Sequence, residues 1–230
     1  MSVVLLRHTP DPERVVAIAG RICYSPSTVA ELEERFDDEQ VGRMIAMLLR
    51  LGHTSPLEHV SFTFGIEASR ACLNQLVRHR IASYSQQSQR YVRADSFPYV
   101  IPPTVQGDEE ARAILDRAAE SSRQAYARLL EMGIPKEDAR YVLPMGTLSR
   151  IVATFNARSL HNLFRLRCCE RAQWEIRGIA REMLDLVRGV APRLFAKAGP
   201  MCETHGTCPE GDMSCGRLAR LRAAGKGNQP

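Results

Sequence analysis

The 230-residue chain has 44% hydrophobic and 25% charged residues, close to the averages of soluble globular proteins. This composition excludes disorder over the whole length, and no stretch approaches the roughly 18 consecutive apolar residues of a membrane helix. The formal net charge of +5 favours anionic partners without selecting one. We expect one main cytoplasmic domain without a signal peptide, and the odd number of cysteines, seven, argues against a disulfide framework.

The spacing of apolar residues predicts helices and a few strands without strict alternation, which is typical of an α+β fold. Strands are predicted over residues 2–6, 60–66 and 148–155. Helices are predicted after Asp11, from Asp37 or Asp38 to Gly52, over residues 68–77, 108–132 and 158–167, and from about Trp174 onward. No strand is predicted in the polar run of residues 83–90. Beyond Gly199 the composition turns to Gly, Pro, Cys and charge, so we expect a catalytic domain over residues 1–198 and an irregular tail over residues 199–230.

Basic, hydroxyl and amide side chains are concentrated in residues 75–91. Gln75 and Arg78 are three positions apart and therefore project from one face of a helix end. The Ser/Gln run that follows can present hydrogen-bond donors to an anion and to the edge of a base, and an arginine offers a planar fork that suits phosphate oxygens. This pattern favours a site for a phosphorylated nucleotide. A solvated polar loop and a nucleic-acid site remain alternatives, although the run has only two aromatic residues, Tyr84 and Tyr91, for stacking bases.

Arg167 continues a helical face that is otherwise apolar, since Leu160, Leu163 and Phe164 precede it at the spacing of one stripe. A buried guanidinium costs several kcal/mol unless a partner satisfies it. The structural explanation is an arginine that extends to solvent or pairs with Glu170 or Glu175. The functional explanation is a contact with an anionic or polar substrate.

The motif Arg78-His79-Arg80, seven intervening residues and Ser88 is similar to the signature of flavin-dependent thymidylate synthases, and Ser83 and Arg90 extend the match. Further segments that resemble this family are residues 52–59, 139–144, 156–162, 166–167 and 172–176. The resemblance covers residues 3–195, and it implies a small central β-sheet, a homotetramer that holds FAD between subunits, and transfer of a methylene group from methylenetetrahydrofolate to C5 of dUMP. NADPH would supply the electrons, and neither nucleic acid nor a membrane is an expected partner.

The resemblance also implies roles for individual residues. The implied FAD contacts are Ser55, Arg78, His79, Arg80, Gln86, Asn156, Arg158 and Asn162. The implied dUMP contacts are Gln75, Arg78, Gln86, Gln87, Ser88, Gln89, Arg90, Arg140 and Arg167. Arg167 would be the catalytic residue, because a permanently positive group at the polar edge of the pyrimidine favours ionisation at N3 and pushes electron density toward C5. Ser88 is assigned to binding, since no histidine–carboxylate pair that would activate it is evident.

Several choices remain open in the sequence. Ser85 and Gln86 replace the Asn and Glu of some family members, and His53 either faces the flavin or only closes a loop. A related flavoenzyme that alkylates another pyrimidine nucleotide such as UMP is a close alternative, and a basic nucleic-acid-binding module is a more distant one. No metal is assigned, although the tail offers four soft ligands to zinc in Cys202, His205, Cys208 and Cys215.

Overall fold

The computed structural model describes residues 1–94 and 97–225. Its strands are β1 (Ser2–His8), β2 (Ser61–Ser69), β3 (Ala82–Gln86) and β4 (Leu148–Asn156), which form one sheet in the order β1-β2-β4-β3. Its α-helices are α1 (Pro12–Ile22), α2 (Val29–Arg35), α3 (Asp38–Leu51), α4 (Arg70–Leu76), α5 (Pro103–Gln106), α6 (Glu109–Glu131), α7 (Lys136–Ala139), α8 (Ala157–Arg167), α9 (Trp174–Val190), α10 (Met201–Thr204) and α11 (Arg217–Ala223). Short 3₁₀ helices cover Ser55–His59, Arg140–Val142 and Gly211–Met213. The expected α+β class is confirmed.

The chain forms two compact units. The first unit comprises Met1–Ser2, Ile66–Arg78 and Tyr84–Val152. The second unit comprises Val3–Gly65, His79–Ser83 and Ala153–Pro230. The predicted boundary between residues 198 and 199 is a different division and stays a prediction.

In the first unit, α4 begins at Arg70 because the side chain of Ser69 accepts a hydrogen bond from the Cys72 amide over 3.0 Å. The Arg70 amide donates to the Thr147 carbonyl over 2.9 Å, which fixes the start of this helix beside the start of β4. A separate apolar cluster contains Phe97 and the fully buried Tyr126 of α6. These contacts position the polar segments on either side of α4.

In the second unit, the apolar stripe of α8 packs into the core, with Leu160, Leu163 and Phe164 fully buried. Asn156 caps this helix through its Oδ1, which accepts from the Ser159 amide over 2.8 Å. Gly52 ends α3 in the left-handed conformation, with φ 70°, and so turns the chain into the following loop. The helix cap and the turn set the directions in which the polar residues of both segments project.

The carboxylate of Glu13 on α1 joins distant parts of the second unit. Its side chain is only 14% exposed, and its Oε1 accepts from the backbone amides of Arg193 over 2.6 Å and Leu194 over 3.1 Å. The guanidinium of Arg193 also pairs with Asp38 at the start of α3. The segment after α9 is thereby tied to two amino-terminal helices.

Two elements differ from the sequence predictions. The polar run that was expected to lack a strand contains β3, which is paired with β4. The tail expected to be irregular contains α10 and α11, because Arg217 forms ion pairs with Glu170, over 2.8 Å, and with Glu203. The irregular-tail prediction is therefore wrong for these two helices. No helix in the described ranges has the length and apolarity that a membrane crossing would require.

Candidate active site

Arg167 and His79 are in direct contact in the second unit. Arg167 is the last residue of α8 and is half-buried, and its Nε donates to Nε2 of His79 over 3.0 Å. Burial and the charge of Arg167 lower the pKa of His79 from 6.5 to about 4. His79 is therefore neutral near pH 7, with its proton on Nδ1 and Nε2 acting as the acceptor.

The guanidinium of Arg167 keeps its positive charge without a carboxylate partner. Within residues 1–94 and 97–225, no acidic side chain lies within the 4.0 Å of a salt bridge to Arg167. Glu170, which the structural explanation proposed as the partner, instead accepts from Arg217 over 2.8 Å and from Arg220 over 2.6 Å. Pairing with Glu170 is therefore not the explanation of this arginine.

A cavity of about 350 Å³ in the second unit brings Ser55 and Arg158 together. The loop after Gly52 supplies His53, Thr54 and Ser55 to its wall, and the first turn of α8 supplies Arg158. Arg158 and Ser55 are both exposed, and Arg158 pairs with Glu58. Hydroxyl and guanidinium donors at the wall of an open cavity suit a phosphate or a ribose.

Two other predicted flavin contacts of the second unit, Asn156 and Asn162, lie at the start of α8 and within it. Asn156 uses Oδ1 for the helix cap. Asn162 is exposed on α8, and its Oδ1 accepts from Arg165 over 3.2 Å. Arg80 is exposed next to His79, and Arg78, which belongs to the first unit, is exposed as well. The cap shows that one of these residues, Asn156, has a structural role in addition to the predicted one.

In the first unit, Gln87, Ser88 and Gln89 line one cavity of about 240 Å³. The Gln87 amide donates to the Arg150 carbonyl over 2.8 Å, which holds the segment after β3 against β4. The hydroxyl of Ser88 accepts from the Arg90 amide over 3.2 Å, so its proton remains available to a ligand. Three consecutive residues of the motif are thus brought together at a single cavity.

Ser149 is a residue of this cavity that the sequence analysis missed. It lies on β4 and is 2% exposed. In the part of the chain that the structure describes, its Oγ and the Nε2 of Gln86 are buried side-chain atoms without a hydrogen-bond partner. Buried polar atoms are nearly always paired, so both are candidates for a contact with a bound molecule. In the sequence, Ser149 is only one small residue in an apolar strand pattern.

Two further predicted substrate contacts of the first unit, Arg90 and Arg140, both contact Glu137. Arg90 pairs with the carboxylate of Glu137 over 2.5 Å, and Arg140 donates to the carbonyl of the same residue over 3.0 Å. Burial and the charge of Arg140 lower the pKa of Arg70, which the sequence analysis did not single out. Gln75 is half-buried, and its Nε2 donates to the Ala71 carbonyl over 3.4 Å. Two guanidinium groups that repel each other favour an anion beside them.

These side chains offer positive charge and hydrogen-bond donors of the kind that suits an anionic ligand such as a nucleotide. A family model described as thymidylate synthase complementing protein matches residues 4–193. The chain belongs to this family, that of the flavin-dependent thymidylate synthases, which confirms the resemblance found in the sequence.

Three relatives show the extent of the similarity, and each bears the name flavin-dependent thymidylate synthase. The protein from Geobacter sulfurreducens is 53% identical over 96% of this chain and 97% of its own length. The protein from Clostridium tetani is 49% identical, with 96% of both chains covered. The protein from Pyrococcus furiosus is 40% identical over 93% of this chain and 91% of its own length.

Proposed function

We propose that this chain catalyses the reductive methylation of dUMP to dTMP, with methylenetetrahydrofolate as carbon donor, FAD as carrier and NADPH as reductant. Membership of the family and the name shared by close, nearly full-length relatives support the reaction. The observation that carries the proposal within the structure is the contact of Arg167 with a neutral His79, which leaves the arginine charge without a carboxylate.

Arg167 acts as the catalytic residue at the polar edge of the pyrimidine. Its positive charge favours loss of the N3 proton and stabilises the negative charge that develops on the ring, so electron density increases at C5. The guanidinium gives up no proton at any working pH. His79 accepts at Nε2 and so holds the plane of the guanidinium in one orientation.

FAD supplies the carrier for the methylene group and the hydride when it is bound. The residues that hold it are Ser55, Arg78, His79, Arg80, Gln86, Asn156, Arg158 and Asn162. The cavity that contains Ser55 and Arg158 and the unpartnered Nε2 of Gln86 fit a ligand with phosphates, hydroxyls and ring carbonyls. An amide at position 86 can donate to a carbonyl, which the carboxylate of some family members cannot do when ionised.

The nucleotide substrate is bound by Gln75, Arg78, Gln86, Gln87, Ser88, Gln89, Arg90, Arg140 and Arg167. The cavity at Gln87, Ser88 and Gln89 supports the central part of this set, and Ser149 extends it with a buried hydroxyl. Arg140 and the neighbouring Arg70 supply positive charge for the phosphate. Ser88 binds through its hydroxyl. This role is consistent with the contact of its oxygen, which is made by the backbone amide of Arg90 and not by a general base.

The homotetramer implied by the family is part of this proposal. FAD would be held by side chains from more than one subunit, so a lone monomer should not retain it. Size-exclusion chromatography with light scattering and a flavin spectrum of each peak tests this point. A monomeric species with one FAD per chain would contradict it.

The experiment that tests the proposed reaction is turnover of the purified flavoprotein with dUMP or UMP, methylenetetrahydrofolate and NADPH. We expect dTMP from dUMP and no methylated product from UMP. Turnover of UMP in preference to dUMP would show that UMP is the substrate instead. A colourless protein that cannot be reconstituted with FAD would overturn the proposed function.

A further inference from the structure

Four of the seven cysteines line one cavity of the second unit, which has a volume of about 480 Å³. The cavity lies between the end of α8 and the tail. Cys169 comes from the segment that follows α8, Cys202 lies on α10, and Cys208 and Cys215 lie in the tail. His205, which the sequence suggested as a ligand, does not line this cavity, and its Nδ1 is 2.7 Å from the hydroxyl of Thr204.

Polar contacts of the protein hold these thiols in place. Arg217 and Arg220 bind Glu170, the residue after Cys169. Arg171 contacts Glu210 over 3.3 Å on the other side of Cys208. These contacts bind the cysteine-bearing tail to the segment after α8, so folding brings the four cysteines to one cavity.

The two adjacent cysteines at the end of α8 have different environments. Cys168 is 2% exposed in the core, and burial raises its pKa to about 12. Cys169 is half-buried and faces the cavity. Cys202 is 9% exposed, and Cys208 and Cys215 are half-buried.

The arrangement of the four thiols does not suit a single ion. Four thiolates around one zinc ion all lie about 2.3 Å from it. Within the two described ranges, no group of three or more His, Cys, Asp or Glu side chains is placed to hold a metal ion. A cubane cluster binds one thiolate at each of four separate irons, so its ligands are spread around a larger body. Four cysteines in the wall of a cavity of about 480 Å³ fit the second case, because a single ion fills only a small part of that volume.

We propose that Cys169, Cys202, Cys208 and Cys215 ligate a four-iron, four-sulfur cluster. Each thiol gives up its proton when its sulfur binds iron. The assembled cluster with four thiolates is an anion, and three further arginines in the wall of the cavity, Arg165, Arg171 and Arg217, supply opposite charge.

The cluster joins the tail to the end of α8. Since Arg167 is the last residue of α8 and lines the same cavity, the cluster restrains the helix end that carries this residue. Cluster content is measured without turnover, so failure of the cluster and failure of the proposed reaction with dUMP can be told apart.

The test is the purification of the full chain without oxygen, followed by measurement of iron, acid-labile sulfide, zinc and FAD per chain. We expect about four irons and four sulfides per chain, with a paramagnetic signal after reduction by dithionite that flavin alone does not give. Stoichiometric zinc without iron would overturn the cluster in favour of a single-ion site. Absence of both metals, also after anaerobic incubation with ferric iron, sulfide and a thiol that reduces part of the iron, would overturn the site.

Single substitutions test which residues are ligands of the cluster. Cys169→Ser should lose most of the iron, whereas His205→Ala, which alters a residue outside this cavity, should keep it. Circular dichroism and FAD content show whether each variant folds. Full iron content in Cys169→Ser, or loss of iron in His205→Ala with the fold intact, would contradict the assignment of ligands.

Discussion

The Nε of Arg167 lies 3.0 Å from Nε2 of His79, although the two residues are 88 positions apart in the chain. A neutral imidazole therefore orients a guanidinium that has no carboxylate partner among the described residues. In the proposed reaction, the residue assigned to the pyrimidine and a residue assigned to the flavin are coupled by this hydrogen bond.

Replacement of Arg167 by Ala should lower kcat by about 10²- to 10³-fold, the usual effect of removing a group that stabilises developing charge. FAD content should change little, because Arg167 is assigned to the substrate. The measurement is steady-state turnover together with the flavin spectrum. Arg181→Ala, an exposed arginine on α9, is the control and should keep full activity. Near-normal turnover of the Arg167 variant would refute its catalytic role.

Acidification should destabilise the protein in part through His79. The unfolded chain takes up this proton near pH 6.5, whereas the native state resists it down to about pH 4. This contribution to stability is present above pH 6.5 and is lost as the pH falls through that value toward 4. In His79→Gln, an amide oxygen can accept from Arg167 and does not titrate, so the decline should be shallower.

Urea unfolding of both proteins at several pH values between 7 and 4.5 measures this difference. His161 also has a lowered pKa because of its burial, and it is present in both proteins, so the comparison isolates His79. Identical slopes of stability against pH would contradict the low pKa of His79.

Replacement of Ser149 by Ala should weaken substrate binding without destabilising the protein. Removal of a buried hydroxyl without a partner should leave the free energy of unfolding unchanged or raised, since no protein hydrogen bond is lost. The Kd for dUMP should rise about tenfold, in keeping with one lost hydrogen bond of about 1.5 kcal/mol. Thermal unfolding and calorimetric titration with dUMP measure the two effects. Ser121→Ala, exposed on α6, should change neither, and unaltered dUMP affinity in the Ser149 variant would exclude the residue from the site.

Two variants of Asn156 separate its helix cap from its proposed flavin contact. Asn156→Ala loses the cap and should destabilise the protein by about 1 kcal/mol. Asn156→Asp keeps an oxygen for the Ser159 amide, so it should retain stability while losing the amide donor and weakening FAD binding. Chemical denaturation and FAD titration distinguish the two. Equal FAD affinity in the wild type and the Asp variant would limit Asn156 to the cap.

Much of the fold was predictable because periodicity and caps are local signals. The apolar alternation of β2 and the α3 helix that ends at Gly52 are examples. The strand β3 was missed because its sequence, Ala-Ser-Tyr-Ser-Gln, shows no apolar alternation, and its strand structure depends on pairing with β4. The helix α2 was missed although its capping box, Thr28 with Glu31, can be read in the sequence.

The candidate site was predictable where a motif of fixed spacing carries it, as with Arg78, His79, Arg80 and Ser88. The neutral state of His79 was not predictable, since it depends on burial and on a residue 88 positions away. The same holds for Ser149, whose unpartnered hydroxyl is visible only once the surrounding atoms are placed. Cys169 was likewise not grouped with the tail cysteines, because only folding brings it to their cavity.

The position of Glu13 determines how far the chain can be shortened. The family match stops at residue 193, yet the Leu194 amide donates to the sheltered carboxylate of Glu13. Removal of all residues after 193 would take away this donor and the fully buried side chains of Leu194 and Phe195. The smallest autonomous folding unit should therefore extend at least through Phe195, a few residues beyond the region by which the family is recognised.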